Sequence, residues 1–250
     1  MSILSHPDVR RTPGAFLWSV LFVAPLFILS TILCGCASFV AMLFDKTGDD
    51  AFSIGNTWSS SLCWIAGARV TVEGVERLDL KQNYIFCPNH LSYMDTPVII
   101  KGIRWPFRFL AKEELFSIPF MGTHLRQAGH VAVPLEDPRA SIRSLSHAAE
   151  TIQRRGISLL VFPEGGRSED GNLQEFKDGA AYLAIKAQVP VVPLALIGTR
   201  QILAMHSPVF HRGPVRLKVG TPIPTAGLTI RDRESITTAM RAQIEQMLSG

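Results

Sequence analysis

From residue 68 onward, short apolar runs alternate along the chain with segments of helical periodicity. Strands that alternate with helices are typical of α/β domains, in which a mainly parallel sheet is covered by helices. The apolar runs predict strands at residues 69–72, 84–87, 107–110, 130–133, 158–162, 191–196 and 215–219. The other segments predict helices at residues 97–102, 113–118, 138–154, 179–188 and 231–248. The sequence therefore predicts an α/β fold with a mainly parallel central sheet flanked by helices.

The N-terminal part of the chain contains a long segment without charge. No charged residue occurs from residue 14 to residue 44, whereas a membrane-spanning helix needs only about 20 apolar residues. A secretory signal peptide is the competing interpretation, with Arg10 and Arg11 as its basic region. The apolar core of a signal peptide, however, is normally only about 7–15 residues long. We therefore expect segment 16–44 to be a retained membrane element.

A second, weaker apolar stretch follows at residues 51–66 and contains two tryptophans, which favour the headgroup level of a bilayer. The two segments could form a helical hairpin in one leaflet, or the first could cross the bilayer alone. Because basic residues favour the cytoplasmic side, Arg10 and Arg11 would lie there, and only a hairpin would return the rest of the chain to that side. We expect membrane-embedded helical segments at residues 1–66 and an α/β domain at residues 67–250.

Charge and cysteine content narrow the possible partners. The formal net charge of +4 is mild, and no block rich in lysine and arginine stands out. Nucleic acid is therefore not an expected partner, whereas scattered arginines suit phosphates and anionic headgroups. The four cysteines lack the spacing of a disulfide framework or a zinc site. We accordingly expect neither a metal nor a bound cofactor.

His90 and Asp95 follow the predicted strand at residues 84–87. Histidine is the side chain best suited to take a proton near neutral pH, and a neighbouring carboxylate can fix its tautomer. Residues five apart do not share one face of a helix, so the pair can meet only if the backbone turns between them. We expect a loop that holds His90 and a helix that begins after Asp95, with Thr96 as its N-cap and Pro97 in its first turn.

Further polar residues follow two other predicted strands. Ligand sites in open α/β sheets lie outside the carboxyl ends of the strands, and Lys112 and Glu164 stand at such ends. The adjacent Gly165 and Gly166 would let the backbone approach a ligand closely. Arg167 could bind a phosphate through two hydrogen bonds, and Glu164 could hold this arginine or accept from a substrate hydroxyl.

Taken together, these segments resemble the glycerolipid acyltransferase family over residues 68–196. The first family block, Asn-His followed by four residues and Asp, is matched by residues 89–95. The third block, Phe-Pro-Glu-Gly-Thr-Arg-Ser, is matched by residues 162–168, except that Gly166 stands where threonine is usual. The fourth block, a strand similar to Val-Pro-Ile-Val-Pro, is matched by residues 189–193.

The second block departs from the family pattern. In the family it ends a strand with an arginine, whereas here Pro134 and Leu135 follow the predicted strand. Arg139 or Arg143 could serve in its place. Another lysolipid, such as a lyso-aminolipid, is then an alternative acceptor.

The resemblance implies an acyltransferase that moves a fatty acyl group from acyl-CoA or acyl carrier protein to the sn-2 hydroxyl of 1-acylglycerol 3-phosphate. In this reaction His90 would be the general base and Asp95 would orient it. The residues implied in substrate binding are Asn89, Lys112, Glu164, Gly165, Gly166 and Arg167. The expected partners are a lysophospholipid acceptor, an acyl donor and the bilayer, with the catalytic domain facing the cytoplasm at the inner membrane.

The sequence leaves two other mechanisms open. Ser92 or Cys87 lies near enough to the first block to act as a covalent nucleophile, although the acceptor hydroxyl can attack a thioester directly. A membrane-anchored lipid-binding protein without catalysis is an alternative from another class. Such a protein has no need for a base such as His90.

Overall fold

The computed structural model describes residues 12–45, 49–79, 81–103 and 105–250. Its strands are β1 (Ala68–Glu73), β2 (Ile85–Pro88), β3 (Phe107–Lys112), β4 (Val131–Val133), β5 (Ser158–Leu160), β6 (Val191–Ile197) and β7 (Gly213–Val219). They form one sheet in the order β1-β7-β6-β2-β5-β3-β4. Neighbouring strands are parallel except for β6 and β7, which are antiparallel. The predicted strands and the mainly parallel sheet are thus confirmed.

The helices are α1 (Pro13–Trp18), α2 (Ala24–Ala41), α3 (Asp49–Ile65), α4 (Asp95–Gly102), α5 (Met121–Gln127), α6 (Pro138–Arg155), α7 (Gly179–Ala187), α8 (Thr199–Ile202) and α9 (Arg233–Ser249). A π-helical segment, Ser19–Val23, joins α1 to α2. The sequence pattern predicts neither α5 nor α8. The segment predicted as a helix at residues 113–118 is instead a 3₁₀ helix at Glu113–Ser117.

Side chains of β2 alternate between two hydrophobic layers, as the period of two along a strand requires. Phe86 lies in the layer covered by α3 and α4, whereas Ile85 and Cys87 lie in the layer covered by α6, α7 and α9. Helices therefore cover both faces of the sheet. Positions that a ligand can reach remain mainly at the ends of the strands.

An apolar helix of 29 residues, Pro13–Ala41, runs through α1, the π-helical segment and α2. Its length and the mean hydropathy of 2.4 over an 18-residue window within it make it a candidate to cross a membrane. One stripe of this helix is shielded, and its members recur every three or four residues: Ser19, Val23, Phe27, Ser30, Cys34, Ser38 and Met42. The remaining surface exposes many large apolar side chains. A helix that is apolar on every side and exposed on most of them supports the expected membrane association.

The second expected membrane segment forms α3, which lies antiparallel to α2. Ser30 Oγ and Ser61 Oγ are 2.6 Å apart, and Trp58 Nε1 donates to Thr31 Oγ1 at 3.1 Å. The two segments therefore pair as a helical hairpin.

The hairpin packs against the α/β domain near both of its ends. At one end, Phe210 N donates to Ser19 Oγ at 2.9 Å. At the other end, Met42 packs with Ala51 and Ala128. The long apolar helix therefore lies along the domain and does not project away from it.

Two expectations about the N-terminal part stay predictions. The first is the division of the chain into a membrane segment, residues 1–66, and an α/β domain, residues 67–250. The end of α3 contributes buried side chains to the core layer that it shares with α4, so the fold itself does not divide at residue 66. The orientation of the hairpin rests on Arg10 and Arg11, which lie outside the described residues.

Candidate active site

His90 lies in the loop between β2 and α4, at the carboxyl edge of the sheet. The residue before it, Asn89, bridges to β6: its Nδ2 donates to Leu196 O at 3.2 Å, and its Oδ1 accepts from Leu196 N at 2.7 Å. This side chain continues the contact between β2 and β6 after the backbone has left the strand. Asn89 is fully buried and has both amide groups engaged. The structure therefore gives Asn89 a supporting position under the loop, and its predicted contact with substrate stays a prediction.

Asp95 brings the ends of this loop together. Its Oδ2 accepts from His90 Nδ1 at 2.8 Å and from the backbone N–H groups of Leu91 and Ser92 at 2.6 and 2.8 Å. Three hydrogen bonds thus converge on one carboxylate oxygen. The backbone turn that the spacing of His90 and Asp95 requires is therefore present.

The predicted start of the next helix is wrong by two residues. Asp95 is the first residue of α4, and Met94, not Thr96, is its N-cap. Met94 N donates to Ser92 Oγ at 3.0 Å, so a serine before the helix satisfies a backbone donor at its start. The helix begins earlier because Asp95, which also binds the loop, already has helical geometry.

The hydrogen bonds of Asp95 fix the tautomer of His90. Its Oδ2 accepts from two backbone N–H groups, and a carboxylate can only accept, so His90 Nδ1 must carry the proton. His90 Nε2 then has a lone pair and can take a proton from a substrate. The imidazole ring also stacks on Phe162, with ring centroids 3.7 Å apart and planes 18° apart. The ring is therefore held from its edge and from one face.

Burial lowers the pKa of His90 below its usual value of 6.5. The hydrogen bond and the charge of Asp95 act in the opposite direction, and the positive charge of Arg167 adds to the lowering. The imidazole is therefore mostly neutral at neutral pH, which is the form that a general base requires.

Glu164 ties the His90 loop to the segment after β5. Its Oε1 accepts from His90 N at 2.6 Å, and its Oε2 accepts from Gln174 N at 2.8 Å. Burial raises the pKa of Glu164 to about 7, although both hydrogen bonds lower it. Since both oxygens bind backbone N–H groups, Glu164 supports the loop, and its predicted contact with Arg167 or a substrate hydroxyl stays a prediction.

The two glycines after Glu164 have different roles. Gly165 has a φ of +75°, and a Cβ there would lie 3.0 Å from Lys177 Nζ, so the turn favours glycine. A Cβ at Gly166 would meet no atom within 4 Å. The threonine that is usual in the family would therefore fit, and Gly166 leaves open space at the site.

Arg167 is positioned by an aromatic ring. Its Cζ lies 4.4 Å from the centroid of the Tyr93 ring, within the range of a cation–π interaction. Its buried Nε has no hydrogen-bond partner among the described residues. A guanidinium that is held by a ring and keeps a free donor is suited to bind an anion. The sequence prediction assigns no role to Tyr93.

Lys112 lies farther from His90 than the other predicted residues. It is exposed at the end of β3, and β5 separates β3 from β2. At a strand spacing of about 4.8 Å, its backbone lies about 10 Å to the side of β2. Arg139 and Arg143 are exposed on α6, which follows the edge strand β4. These three residues therefore lie at the outer edge of the site and not beside His90.

Two basic residues near the site are missing from the sequence prediction. Lys177 reaches over Gly165, and Arg200 Nη1 donates to Ser168 O at 3.4 Å. Lys177 lies in segment 176–180, whose similarity to the family is a usable signal. Arg200 follows β6, and its place beside the loop depends on a strand order that the sequence does not contain.

The structure disfavours a covalent route through the enzyme. Ser92 is fully buried, and its Oγ donates to Leu203 O at 2.6 Å. Cys87 is also fully buried, and burial raises the pKa of its thiol far above the usual value. Neither side chain is available as a nucleophile, which leaves direct attack by the acceptor.

The described residues contain no group of three or more His, Cys, Asp or Glu side chains that could hold a metal ion. The expectation that the protein needs neither a metal nor a cofactor stays a prediction.

The described residues thus place a His–Asp pair at the carboxyl edge of a covered α/β sheet, next to a loop that carries a guanidinium with an unpartnered donor. A sequence model described as Acyltransferase matches residues 69–197. The chain belongs to this Acyltransferase family.

Individual relatives agree with the family assignment. The 1-acyl-sn-glycerol-3-phosphate acyltransferase of Cocos nucifera is 33% identical over 171 residues, which are 68% of this chain and 55% of that protein. The protein of the same name from Borreliella burgdorferi is 33% identical over 189 residues, 74% of each chain. The crystal structure of the 1-acyl-sn-glycerophosphate acyltransferase of Thermotoga maritima is 26% identical, with a TM-score of 0.75 and coverage of 93% of this chain and 97% of that one. These matches confirm both the family that the motifs predict and the predicted fold.

Proposed function

We propose that this protein is a 1-acylglycerol-3-phosphate acyltransferase, which moves a fatty acyl group from acyl-CoA or acyl carrier protein to the sn-2 hydroxyl and forms phosphatidate. The observation that carries the proposal is the hydrogen bond between His90 Nδ1 and Asp95 Oδ2 at 2.8 Å, which leaves His90 Nε2 free as a base. Family membership and the names of the relatives support the same reaction.

In this mechanism, the sn-2 hydroxyl attacks the thioester carbonyl while His90 Nε2 takes its proton. The tetrahedral intermediate then expels the thiolate, which receives that proton from the imidazolium. A positioned general base of this kind contributes roughly 10²–10⁴-fold to the rate. Asp95 keeps His90 in the correct tautomer and stabilises the imidazolium that forms, as the aspartate of a Ser-His-Asp triad does.

The acceptor's phosphate is assigned to the basic side chains around the loop after β5. Arg167 supplies the free guanidinium, and Lys177 and Arg200 lie on the two sides of this loop. Glu164 and Asn89 hold the backbone that carries the base, and the turn at Gly165 permits the approach of Lys177. Arg200 is our candidate for the role of the missing arginine of the second family block.

Lys112 is better placed for the acyl donor than for the oxyanion. Its side chain is exposed at the outer edge of the site. Coenzyme A and the prosthetic arm of a carrier protein both contain phosphate, to which lysine binds as a point charge. Backbone N–H groups near His90 then remain the candidates for the oxyanion.

The apolar hairpin supports a reaction at a membrane surface. The helix Pro13–Ala41 is held to the domain near both of its ends, which favours a hairpin in one leaflet over a single span that leaves the domain on the other side. We assign the protein to the inner membrane with the catalytic domain in the cytoplasm, where acyl-CoA and acyl carrier protein are found. Glu234→Cys on α9 should react with an impermeant thiol reagent only after cells are permeabilised, and reaction on intact cells would contradict this orientation.

The activity test uses membranes that contain the full chain, labelled acyl-CoA and a panel of lysolipids. We expect acylation of 1-acylglycerol 3-phosphate, and loss of most of the rate in His90→Ala. The matched control is His147→Ala, an exposed histidine on α6, which should keep the wild-type rate. The acyltransferase proposal fails if the wild type acylates no lysolipid, and the base assignment fails if His90→Ala retains full activity.

A lyso-aminolipid acceptor is the second candidate. The open space at Gly166 and the absence of an arginine after β4 favour it. Faster acylation of a lyso-aminolipid than of 1-acylglycerol 3-phosphate in the same panel would decide for this alternative.

A further inference from the structure

We infer that four exposed apolar side chains beside the active-site edge form a second membrane-contact surface, separate from the N-terminal hairpin. These side chains are Leu115, Ile118, Phe120 and Met121, and we call them the apolar rim. They lie within seven consecutive residues that follow β3, at the carboxyl edge of the sheet where His90 also lies. Exposed apolar groups clustered in this way mark an interaction site.

The backbone presents Phe120 to solvent in an unusual conformation. Phe120 has a φ of 63° and a ψ of −52°, and Met121 N donates to Pro119 O at 2.7 Å. This is a γ-turn of the rare, strained form. Phe120 is 83% exposed, so contacts of its side chain within the protein do not explain the strain. Such an outlier is a reason to look for a function.

Contacts beneath the rim hold this turn in place. Arg126 Nη1 donates to Phe116 O at 2.6 Å, and Gly122 N donates to Ile118 O at 2.8 Å. A Cβ at Gly122 would lie 1.9 Å from Phe116 O, so the close approach of α5 to the preceding 3₁₀ helix requires glycine. The rim is therefore a fixed projection and not a loose loop.

The rim is close to the part of the protein that contacts lipid. Ala128, directly after α5, packs with Met42 at the end of the long apolar helix. α5 has seven residues, so the rim begins about 10 Å from that contact. Leu43 and Phe44, next to Met42, are also exposed. The hairpin end and the rim thus form neighbouring apolar surfaces, and the partner that both can share is the bilayer.

The chemistry of the rim indicates apolar insertion and not attraction to anionic lipid. Glu113 and Glu114 are exposed immediately before it, and acidic side chains are not attracted to an anionic surface. We therefore expect the contact to form on zwitterionic lipid and to be insensitive to salt. It would tilt the carboxyl edge of the sheet, and with it His90, toward the leaflet that contains the acceptor. This orientation would bring the proposed base to the membrane-bound acceptor. Only the activity test below depends on the proposed function; the insertion test does not.

Insertion is tested first without reference to activity. The full chain is reconstituted in phosphatidylcholine vesicles with or without brominated acyl chains, which quench nearby tryptophans. Phe120→Trp places a probe on the rim, and the control Ile142→Trp places one at a residue that is 51% exposed on α6, over the opposite face of the sheet from α3. Because the wild type already has four tryptophans, the fluorescence of each variant is taken as its difference from the fluorescence of the wild type.

We expect the added fluorescence of Phe120→Trp to fall more than about twofold in brominated vesicles, because interfacial segments insert about 5–10 Å into the bilayer. That of Ile142→Trp should not change, and neither result should depend on salt. Equal quenching of the two variants, or no quenching of Phe120→Trp, would overturn the inference.

The consequence for the reaction is tested with Phe120→Asp. Loss of one inserted aromatic side chain should lower the rate on a long-chain acceptor in vesicles roughly tenfold, while the rate on a dispersed short-chain acceptor stays near that of the wild type. Ile142→Asp should change neither rate. An equal loss on both acceptors would indicate a damaged fold and would count against the rim. If the wild type acylates no acceptor, the proposed function fails, but the quenching result still decides whether the rim inserts.

Discussion

Oδ2 of Asp95 lies 2.8 Å from Nδ1 of His90, and the same oxygen also accepts the backbone N–H groups of Leu91 and Ser92. The other oxygen, Oδ1, is buried and has no partner among the described residues. One oxygen therefore orients the imidazole and shapes the loop that carries it. The state of the base and the conformation of its loop are coupled through this atom.

The first prediction concerns Asp95→Asn. If the asparagine keeps its Oδ1 toward the two backbone N–H groups, it can still accept from His90 but no longer stabilises the imidazolium. If the amide turns its NH₂ to His90, it favours the wrong tautomer. We expect kcat to fall by roughly 10²–10⁴-fold, measured with saturating donor and acceptor. Asp137→Asn is the matched control, because Asp137 caps α6 and asparagine caps equally well. A wild-type rate in Asp95→Asn would refute the pairing.

The second prediction concerns the pH dependence of kcat/KM. The protonated form of His90 cannot act as a base, so kcat/KM must fall as pH falls through its pKa. Burial lowers this pKa from 6.5, and the midpoint of the acid limb should therefore lie below pH 6.5. Phe162→Ala admits water beside the ring and should move the midpoint upward. Phe109→Leu, which loses a contact with His130 instead, should leave it unchanged. A midpoint above 6.5 in the wild type would contradict a buried base.

The third prediction concerns the effect of Glu164→Gln on the free energy of unfolding. The carboxylate accepts from two backbone N–H groups, whereas the amide offers only one oxygen and directs an NH₂ group at the second donor. We expect a loss of about 1–3 kcal/mol in the free energy of unfolding, measured by urea denaturation at pH 8. Glu150→Gln, at an exposed position of α6, should cost little.

The pKa of Glu164 also sets the sign of a pH effect on stability. Its folded-state pKa of about 7 lies above the ordinary 4.5, so the folded state retains a proton that the unfolded state releases. The free energy of unfolding should therefore decrease as pH rises from 4.5 to about 7. This contribution should be absent from Glu164→Gln, and an unchanged pH dependence in the variant would assign the effect to another group.

The fourth prediction concerns the support of Arg167 by Tyr93. Tyr93→Leu removes the ring beneath the guanidinium and should raise the KM for 1-acylglycerol 3-phosphate about 2–5-fold with little change in kcat, since an exposed cation–π contact is worth roughly 0.5–1 kcal/mol. Tyr93→Phe keeps the ring and should behave as the wild type. Arg167→Ala should raise this KM further, and a double variant no worse than Arg167→Ala alone would show that Tyr93 acts through the arginine. An effect of Tyr93→Leu on kcat alone would rule out this positioning role.

Local pattern predicts much of this fold and the pairing of His90 with Asp95. The central strands β2, β5 and β6 are short, buried and mainly apolar runs. The spacing of His90 and Asp95 by itself requires a turn if the two side chains are to meet. Local pattern cannot predict that Glu164 binds His90 or that Asn89 binds Leu196, because these hydrogen bonds join residues 74 and 107 positions apart. The motifs alone therefore predict contact with substrate for these two residues, whereas their hydrogen bonds in the structure show how they also support the loop. The nearness of Arg200 depends on β6 lying beside β2, which only the assembled sheet determines.

The contact between Phe210 and Ser19 joins residues 191 positions apart. At synthesis rates of about 5–20 residues per second, the apolar helix leaves the ribosome about 10–40 s before its docking partner exists. During that interval, α3 is the only docking partner described above that can already be complete, because it pairs with the long helix at Ser30 and Thr31 and ends at Ile65. The hairpin can therefore form before the domain that it packs against is complete.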